Sequence, residues 1–470
     1  MIRYVFGAGK TGRQVIAALQ KIHLKATYVF DNDEKKWGME VLGVPVIKFN
    51  KQYLIKEESL VYVACVNYHD IVDQLKKEDI PEENIIVADS IFADKFLSDI
   101  AHHIISEIKT GGLKEVLQCD LLFDLSGGMV LGGVEQWNYE LAARLKEKKI
   151  NACYFVVTSN DNTVENTIYP SINVKQETDI FSLCKTIIEV RPKVIICNFP
   201  FSIMKAACIV KRCYNRSLKI IAVVHSDLEL YYNTYTFWAN EIDKCVGISA
   251  RIEEKIMTYR QLADKFMRLR WKIKLTTKNN HIYSQNNEPL RIGYAGRIVE
   301  YPKRLDRTIL IAKDLMKRNV EFRIQIAGDG IYRTELEDII VKNDLQSYFE
   351  FLGRLDHDQM QQFWDAQDIY INCSDYEGHS IAQAEAIASG AVPVMMDVSG
   401  AQDDIENGKN GFVVPVGDVK TMAEKIDWLY RNRDFLPVMG AESRRKAEAN
   451  NRLADRDLEV LESEIICAVK

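Results

Sequence analysis

Three times in this chain a short apolar run ends in a cluster of glycines and passes at once into an amphipathic helical stretch, near residues 3–20, 121–146 and 290–318. A strand that turns through glycines into a helix opens a parallel βα unit: the turn must be tight, and the helix start presents unpaired N–H groups. Strand-like and helical-period segments alternate through the rest of the sequence. That pattern specifies an α/β fold of three Rossmann-like, doubly wound units. Length agrees, because 470 residues at ~150 per domain make about three.

The first unit runs through Ile2–Phe6, the loop Gly7-Ala-Gly9-Lys-Thr-Gly12 and a helix with Val15, Ile16, Leu19 and Ile22 on one face. Strands over 26–30, 44–47, 60–65 and 84–87 follow, then a polar helical stretch around 100–118. The second unit has strands over 121–125, 152–157, 194–197 and 219–224, and its first helix carries a buried stripe of Val134, Trp137, Leu141 and Leu145. The third has strands over 290–295, 322–327, 349–352, 368–373, 391–396 and 411–414. Asn279 to Pro289 is the most linker-like stretch. The expected domains are therefore 1–110, 111–285 and 286–470, with the last helix a candidate to cross back onto the second.

Composition removes several classes. Lys plus Arg is 61 against 67 Asp plus Glu, a net charge of −6, which argues against a surface built to hold nucleic acid. No apolar run approaches the ~20 residues of a membrane span. The N-terminus reads as a strand entering glycines, so a cytoplasmic protein is expected. The ten cysteines are scattered with no Cys-x-x-Cys pair, which predicts free buried thiols and no structural zinc or other metal.

The strongest local signal is Asp375-Tyr-Glu377-Gly378-His379-Ser380-Ile381-Ala-Gln383-Ala-Glu385. A strand ends, a loop follows, and a helix starts at about Ser380, with Gln383 three residues on as a capping box and Gly390 closing the helix. Such a helix start attracts phosphate. Glu377 and Glu385, flanking it, suit hydroxyls carried by the same ligand better than the phosphate itself. Gly296-Arg297 after strand 290–295, with Lys303 six residues later, adds a guanidinium fork and a point charge suited to a diphosphate. Gly328-Asp-Gly330 closes the next strand without bulky side chains. Together these residues fit a nucleoside diphosphate carrying a sugar.

The ordered set Gly296-Arg297…Lys303, Ala327-Gly-Asp-Gly330, Phe351-Leu-Gly353, Ser374-Asp-Tyr-Glu377-Gly-His-Ser…Glu385-Ala, Ser389-Gly390 and Asn410-Gly-Phe-Val-Val-Pro415 resembles the donor-binding domain of the retaining GT-B glycosyltransferases of family 4 (glycosyl transferases group 1). Gly132-Gly133-Val-Glu135 before a helix and His225 after a strand resemble that family's N-terminal domain. The resemblance implies a GT-B pair of domains around a cleft and metal-independent transfer with retention, from a nucleotide-diphosphate sugar, UDP-sugar first. The acceptor would be a glycan, lipid-linked or other glycoconjugate, in bacterial surface polysaccharide synthesis. Arg297 and Lys303 would hold the diphosphate, Glu377 the donor sugar and Glu385 the ribose. Amides around His379, Ser380 and Ile381, with Gly296, Gly328, Gly330, Gly353 and Gly378, would line the donor. Gly132 and Gly133 would approach the diphosphate, and His225 would face the transferred sugar. The sequence departs from the family at His379, where an apolar residue is usual, at Ala401-Gln402-Asp403-Asp404, where a glutamate is common, and in lacking Pro-Asn-Gly near 275–290.

Gly7-x-Gly9-x-x-Gly12 with Asp31 beyond the second strand meets the dinucleotide fingerprint. This first unit also resembles small Rossmann-like domains found beside sugar-modifying transferases. A nucleotide or nucleotide-sugar site, NAD-dependent redox chemistry and a scaffold role all remain open for it. From Lys255 to Lys278 eight cations face one anion, Asp264, with apolar residues interleaved; an interfacial helix at the inner face of a membrane and a solvated face are the two readings. The rival to catalysis is a nucleotide-sugar sensor that binds without turnover.

Overall fold

The structure is a computed structural model that describes residues 2–21, 25–53, 59–64, 68–78, 80–81, 85–87, 90–110, 112, 118–125, 133–158, 169–175, 180–273 and 281–470. Its fold is mixed α/β with three parallel-rich sheets.

The first sheet contains β1 (Ile2–Phe6), β2 (Tyr28–Phe30), β3 (Glu40–Val41), β4 (Val44–Ile47), β5 (Ser59–Val63) and β6 (Ile85–Val87), in the order β3-β4-β2-β1-β5-β6. Only the short β3 runs antiparallel. Alternation along β1 sends Val5 to one face, against Val15, Ile16 and Leu19. Tyr4 and Phe6 go to the other, against Ile71 and Leu75. A strand covered on both faces must be apolar throughout, as this one is.

The second sheet is β7 (Leu121–Leu125), β8 (Ala152–Thr158), β9 (Ser171–Lys175), β10 (Val194–Cys197), β11 (Lys219–Val224), β12 (Lys244–Gly247) and β13 (Phe266–Arg268), ordered β13-β12-β11-β10-β7-β8-β9. The third is β14 (Leu290–Ala295), β15 (Phe322–Ala327), β16 (Phe349–Gly353), β17 (Ile369–Asn372), β18 (Val392–Met396) and β19 (Phe412–Val414), ordered β16-β15-β14-β17-β18-β19. Its strand order reverses between β14 and β17. The loops leaving those two strands therefore diverge, and a doubly wound sheet binds ligands in the crevice they open.

By chain contacts the protein forms two compact units. One comprises Met1–Asp124, Val174–Ile220 and Glu229–Asp243, the other Leu125–Asn173, Ile221–Leu228 and Lys244–Lys470. In the first unit the helix Ser90–Thr110 lies against helices Ser202–Cys213 and Glu229–Phe237. There Asp94, fully buried, pairs with Lys205 at 2.9 Å and accepts the Trp238 indole N–H at 2.8 Å. A buried carboxylate so far from water is tolerated only with such partners. The polar helix expected around 100–118 thus starts earlier, and its Ala101, Ile104, Ile105 and Ile108 are buried.

The second unit shows two further differences from expectation. Part of the anticipated linker is docked: the Ser284 N–H and hydroxyl donate to buried Asp368 at 2.7 and 2.6 Å, fastening 281–285 to the start of β17. The basic stretch 255–278 is not one interfacial helix. It runs through the end of the helix Ala250–Met257, the short helix Arg260–Ala263 and β13. Lys255, Arg268, Arg270 and Lys272 pair there with Asp227, Asp403, Asp457 and Asp455. Residues 274–278 lie outside the described residues.

The nine described cysteines are free, all but Cys213 and Cys467 buried; Cys65 lies outside the described residues. Among the described residues no helix is long and apolar enough to cross a membrane.

Candidate active site

At the reversal point side chains from the loop after β14 and the loop after β17 reach each other across the crevice. Lys303 donates to Glu377 Oε1 at 2.6 Å, and the Ser374 hydroxyl donates to the same oxygen at 2.7 Å. The Asn372 amide stands at 3.4 Å. Burial raises the Glu377 carboxyl, but the Lys303 charge and these donors outweigh it and hold the group below the usual range. Glu377 is therefore an ionised carboxylate in a shielded place. Arg297 lies exposed at the same edge, and among the described residues no carboxylate pairs with it.

The helix Ile381–Ser389 begins beside this pair. Ser380 caps it, accepting from the Gln383 N–H, and Gly390 ends it at φ +105°, a conformation that costs glycine least. The expected reciprocal capping box is only half present. The Gln383 side chain turns instead to the Gly400 carbonyl and Asp404, at 2.9 and 2.8 Å. The N–H groups of Ile381 and Ala382 stand at the positive end of the helix, beside Lys303 and Glu377. One turn further on, burial lifts the Glu385 carboxyl to about 7, with the Trp364 indole pulling the other way.

The glycines serve loop packing more than the sequence suggested. A Cβ on Gly328 would lie 1.9 Å from the Gly296 carbonyl oxygen, and one on Gly330 2.1 Å from that of Ile298. On the side where a Cβ would project, neighbouring backbone leaves no room at these two glycines. Gly353 differs, with nothing within 4 Å of a Cβ there. Gly378 brings the Glu377 loop against the one after β11: its Cβ would stand 2.0 Å from the His225 carbonyl oxygen, and the Asp227 N–H donates to the Glu377 carbonyl at 3.1 Å.

His225 itself receives the Trp137 indole N–H on Nε2 at 3.3 Å. An indole only donates, so Nε2 is unprotonated. Burial pushes the imidazole down to about 3, which favours its neutral form. Trp137, read in the sequence as one more residue of a core stripe, sets this tautomer; it lies 88 residues before His225, and no spacing signal in the sequence joins the two. Gly133 opens the helix Gly133–Glu147, and Gly132 lies outside the described residues.

Two departures noted in the sequence prove to be each other's partner. The His379 side chain, 8% exposed, points away from the loop and meets Asp404, 3% exposed, with Nε2–Oδ2 at 3.1 Å. Burial opposes the charge on His379, yet Asp404 overrides it and raises the imidazole above its ordinary value. Asp404 also accepts from Asn450 on the last helix at 2.7 Å.

In the N-terminal sheet, Gly7 has φ +113°, and a Cβ on Gly12 would lie 1.8 Å from the Gly7 carbonyl oxygen. Asp31 closes this loop. Its Oδ2 accepts from the Ala8 N–H at 2.7 Å and its Oδ1 from the Asp33 N–H at 2.9 Å, with Lys36 at 3.2 Å. Burial alone would raise the Asp31 carboxyl, but these donors hold it low.

Residues 276–453 match the family of glycosyl transferases group 1. The fold is that of GT-B glycosyltransferases, as in HepE of Anabaena in complex with UDP-glucose: TM-score 0.60 at 16% identity, over 74% of this chain and 100% of that one. Curated relatives include sulfoquinovosyl transferase SQD2 of Arabidopsis thaliana, 24% identical over 49% of this chain and 49% of its own length. Another is the amylovoran biosynthesis glycosyltransferase AmsK of Erwinia amylovora, 28% identical over 48% of this chain and 57% of its own. The chain spans about half the length of these curated relatives. The family match contains Arg297, Lys303, Glu377 and Glu385.

Proposed function

We propose that the protein is a retaining, metal-independent glycosyltransferase that moves a sugar from a nucleotide-diphosphate sugar, UDP-sugar first, to a glycan, lipid-linked or other glycoconjugate acceptor. The observation that carries this is the Lys303–Glu377 pair at the N-terminal end of the helix Ile381–Ser389, with exposed Arg297 on the same edge. A cation, a second cation and a helix terminus suit a diphosphate, and two carboxylates eight residues apart suit the hydroxyls on either side of it.

In this reading Arg297 and Lys303 bind the diphosphate and stabilise the charge that grows on it as the glycosidic bond breaks. Lys303 supplies that charge without a metal ion. Glu377, ionised and oriented by Ser374 and Asn372, accepts the donor sugar's hydroxyls, and Glu385 those of the ribose. Gly353, with open space at its Cα, admits the base. Gly132 and Gly133 approach the diphosphate. The departing phosphate takes the acceptor's proton on the face the leaving group vacates, which retains configuration. His225, held neutral, hydrogen-bonds the transferred sugar and moves no proton.

Residues 286–470 would be the donor domain, 111–285 the acceptor domain and 1–110 a smaller nucleotide-binding or scaffolding domain. Redox use of NAD by that domain is disfavoured, because both Asp31 oxygens already accept backbone N–H groups, one from Ala8 in the glycine loop and one from Asp33, with which a ribose would have to compete. The setting we propose is surface polysaccharide synthesis at the cytoplasmic side of a bacterial membrane. Proton NMR of the first product formed tests the chemistry: an anomer matching the donor, with turnover unaffected by EDTA, is expected. An inverted anomer, or activity abolished by the chelator, contradicts it.

A further inference from the structure

The two loops that form the donor edge are fastened to each other residue by residue. Lys303 holds Glu377 at 2.6 Å, while Arg304 and Arg307 hold Asp375 at 3.2 and 2.5 Å. The Asp375 N–H donates to the Pro302 carbonyl at 2.9 Å. Tyr301 completes the series, meeting Tyr376 edge to face with ring centroids 5.3 Å apart.

These charged side chains are engaged with one another, yet Tyr301 is 61% exposed. An apolar residue alone on a mobile surface loop would need no explanation. A tyrosine ring braced by a second ring, on a loop locked by three ion pairs, is different. It is a rigid aromatic surface that loses little entropy when something packs on it. Exposure also rises from Glu377 through Tyr376 to Tyr301. The Glu377 side chain is 12% exposed, Tyr376 is half-buried, and Tyr301 is the most open. A pyranose ring has a face of C–H bonds that packs on an aromatic ring, with hydroxyls projecting around it. If the donor sugar occupies Glu377, the ring that reaches Tyr301 belongs to the next sugar out.

We infer that Tyr301, braced by Tyr376, is a stacking platform for a pyranose residue of the acceptor. This rests on the transferase reading above. It assigns part of acceptor recognition to the donor-binding half of the chain.

The test compares wild type, Tyr301→Ala and Tyr301→Trp, with p-nitrophenyl glucosides, galactosides and N-acetylglucosaminides as acceptors and UDP-sugars as donors. Saturation-transfer NMR of the same glycosides with UDP-loaded protein runs in parallel. Tyr301→Ala is expected to raise the acceptor KM roughly tenfold, the loss of one ring contact. The donor KM should move less than twofold, the saturation-transfer signal should vanish, and Tyr301→Trp should restore both signal and acceptor KM. An alanine variant with wild-type acceptor KM and signal overturns the inference. So does one whose donor KM rises as much as its acceptor KM, which would place the ring on the donor. If wild type turns over no donor, the transferase reading fails separately, and the NMR arm still decides. A glycoside signal present in wild type and absent in Tyr301→Ala supports the platform, and no signal in wild type refutes it.

Discussion

Glu385 is the residue whose protonation should be visible in kinetics. Its carboxyl is lifted to about 7 by burial, and a ribose diol prefers the ionised form as acceptor. Donor KM should therefore fall about tenfold between pH 6 and pH 8, as expected for one group that must lose its proton, and Glu385→Gln should flatten the profile. The stability effect has the opposite sign. A carboxyl protonated in the folded state favours folding at low pH, and that contribution disappears as pH rises through about 7. Glu385→Gln should thus raise Tm by a few degrees at pH 8 while weakening donor binding, which calorimetry and donor titration can check together. The His379–Asp404 pair behaves otherwise. An imidazole raised by its partner stabilises fully below pH 6.5 and loses that contribution as pH climbs through its folded value. Asp404→Asn leaves a buried charge without its partner and should cost about 3 kcal/mol at pH 6, and less at pH 9. Equal losses in urea titrations at the two pH values would show that the pair is not ionic.

At the scale of elements, the site depends on loops approaching more closely than side chains permit. Gly378→Ala would place a Cβ on the His225 backbone carbonyl, and backbone cannot swing aside as a flexible side chain can. The Glu377 and His225 loops should separate, with kcat/KM falling at least roughly tenfold for a shift of this order. Tm should change little, because the sheet beneath is untouched. A fully active Gly378→Ala would show that this approach does not matter to catalysis. The elements themselves were largely readable. Strands such as β7, β10, β11, β14 and β15 lie where apolar runs bounded by turn residues put them, since buried parallel strands admit little else. The reading failed where tertiary contacts override local pattern. β12 and β13 are short strands inside the charged 244–268 region, and the helix Ser90–Thr110 hides its apolar face against other helices. The apolar residues of that helix do recur at helical spacing, at Ala101, Ile104, Ile105 and Ile108; what the sequence does not show is the surface that covers them.

For the molecule as a whole, the sequence specified the third sheet well because its chemistry sits at strand ends and helix starts, at fixed spacings. It could not show that Lys303 would already hold Glu377, that His379 and Asp404 would pair across twenty-five residues, or that Trp137 would fix a histidine tautomer. Those are distances in space with no signature in spacing. The last helix, Phe435–Val469, lies along the helix Ile381–Ser389, and its Glu462 pairs with Arg144 on the helix Gly133–Glu147. One chain segment thus braces the helix whose start we propose as the phosphate site. We propose that this edge of the third sheet binds a nucleoside diphosphate sugar and breaks it. UDP release from a panel of UDP-sugars, measured for wild type, Glu377→Gln and Arg297→Ala, tests it most directly. Turnover is expected in wild type with at least one donor, and a loss of about two orders of magnitude in kcat/KM in each variant, as for removal of a group that stabilises developing charge. Equal turnover in all three proteins would contradict it.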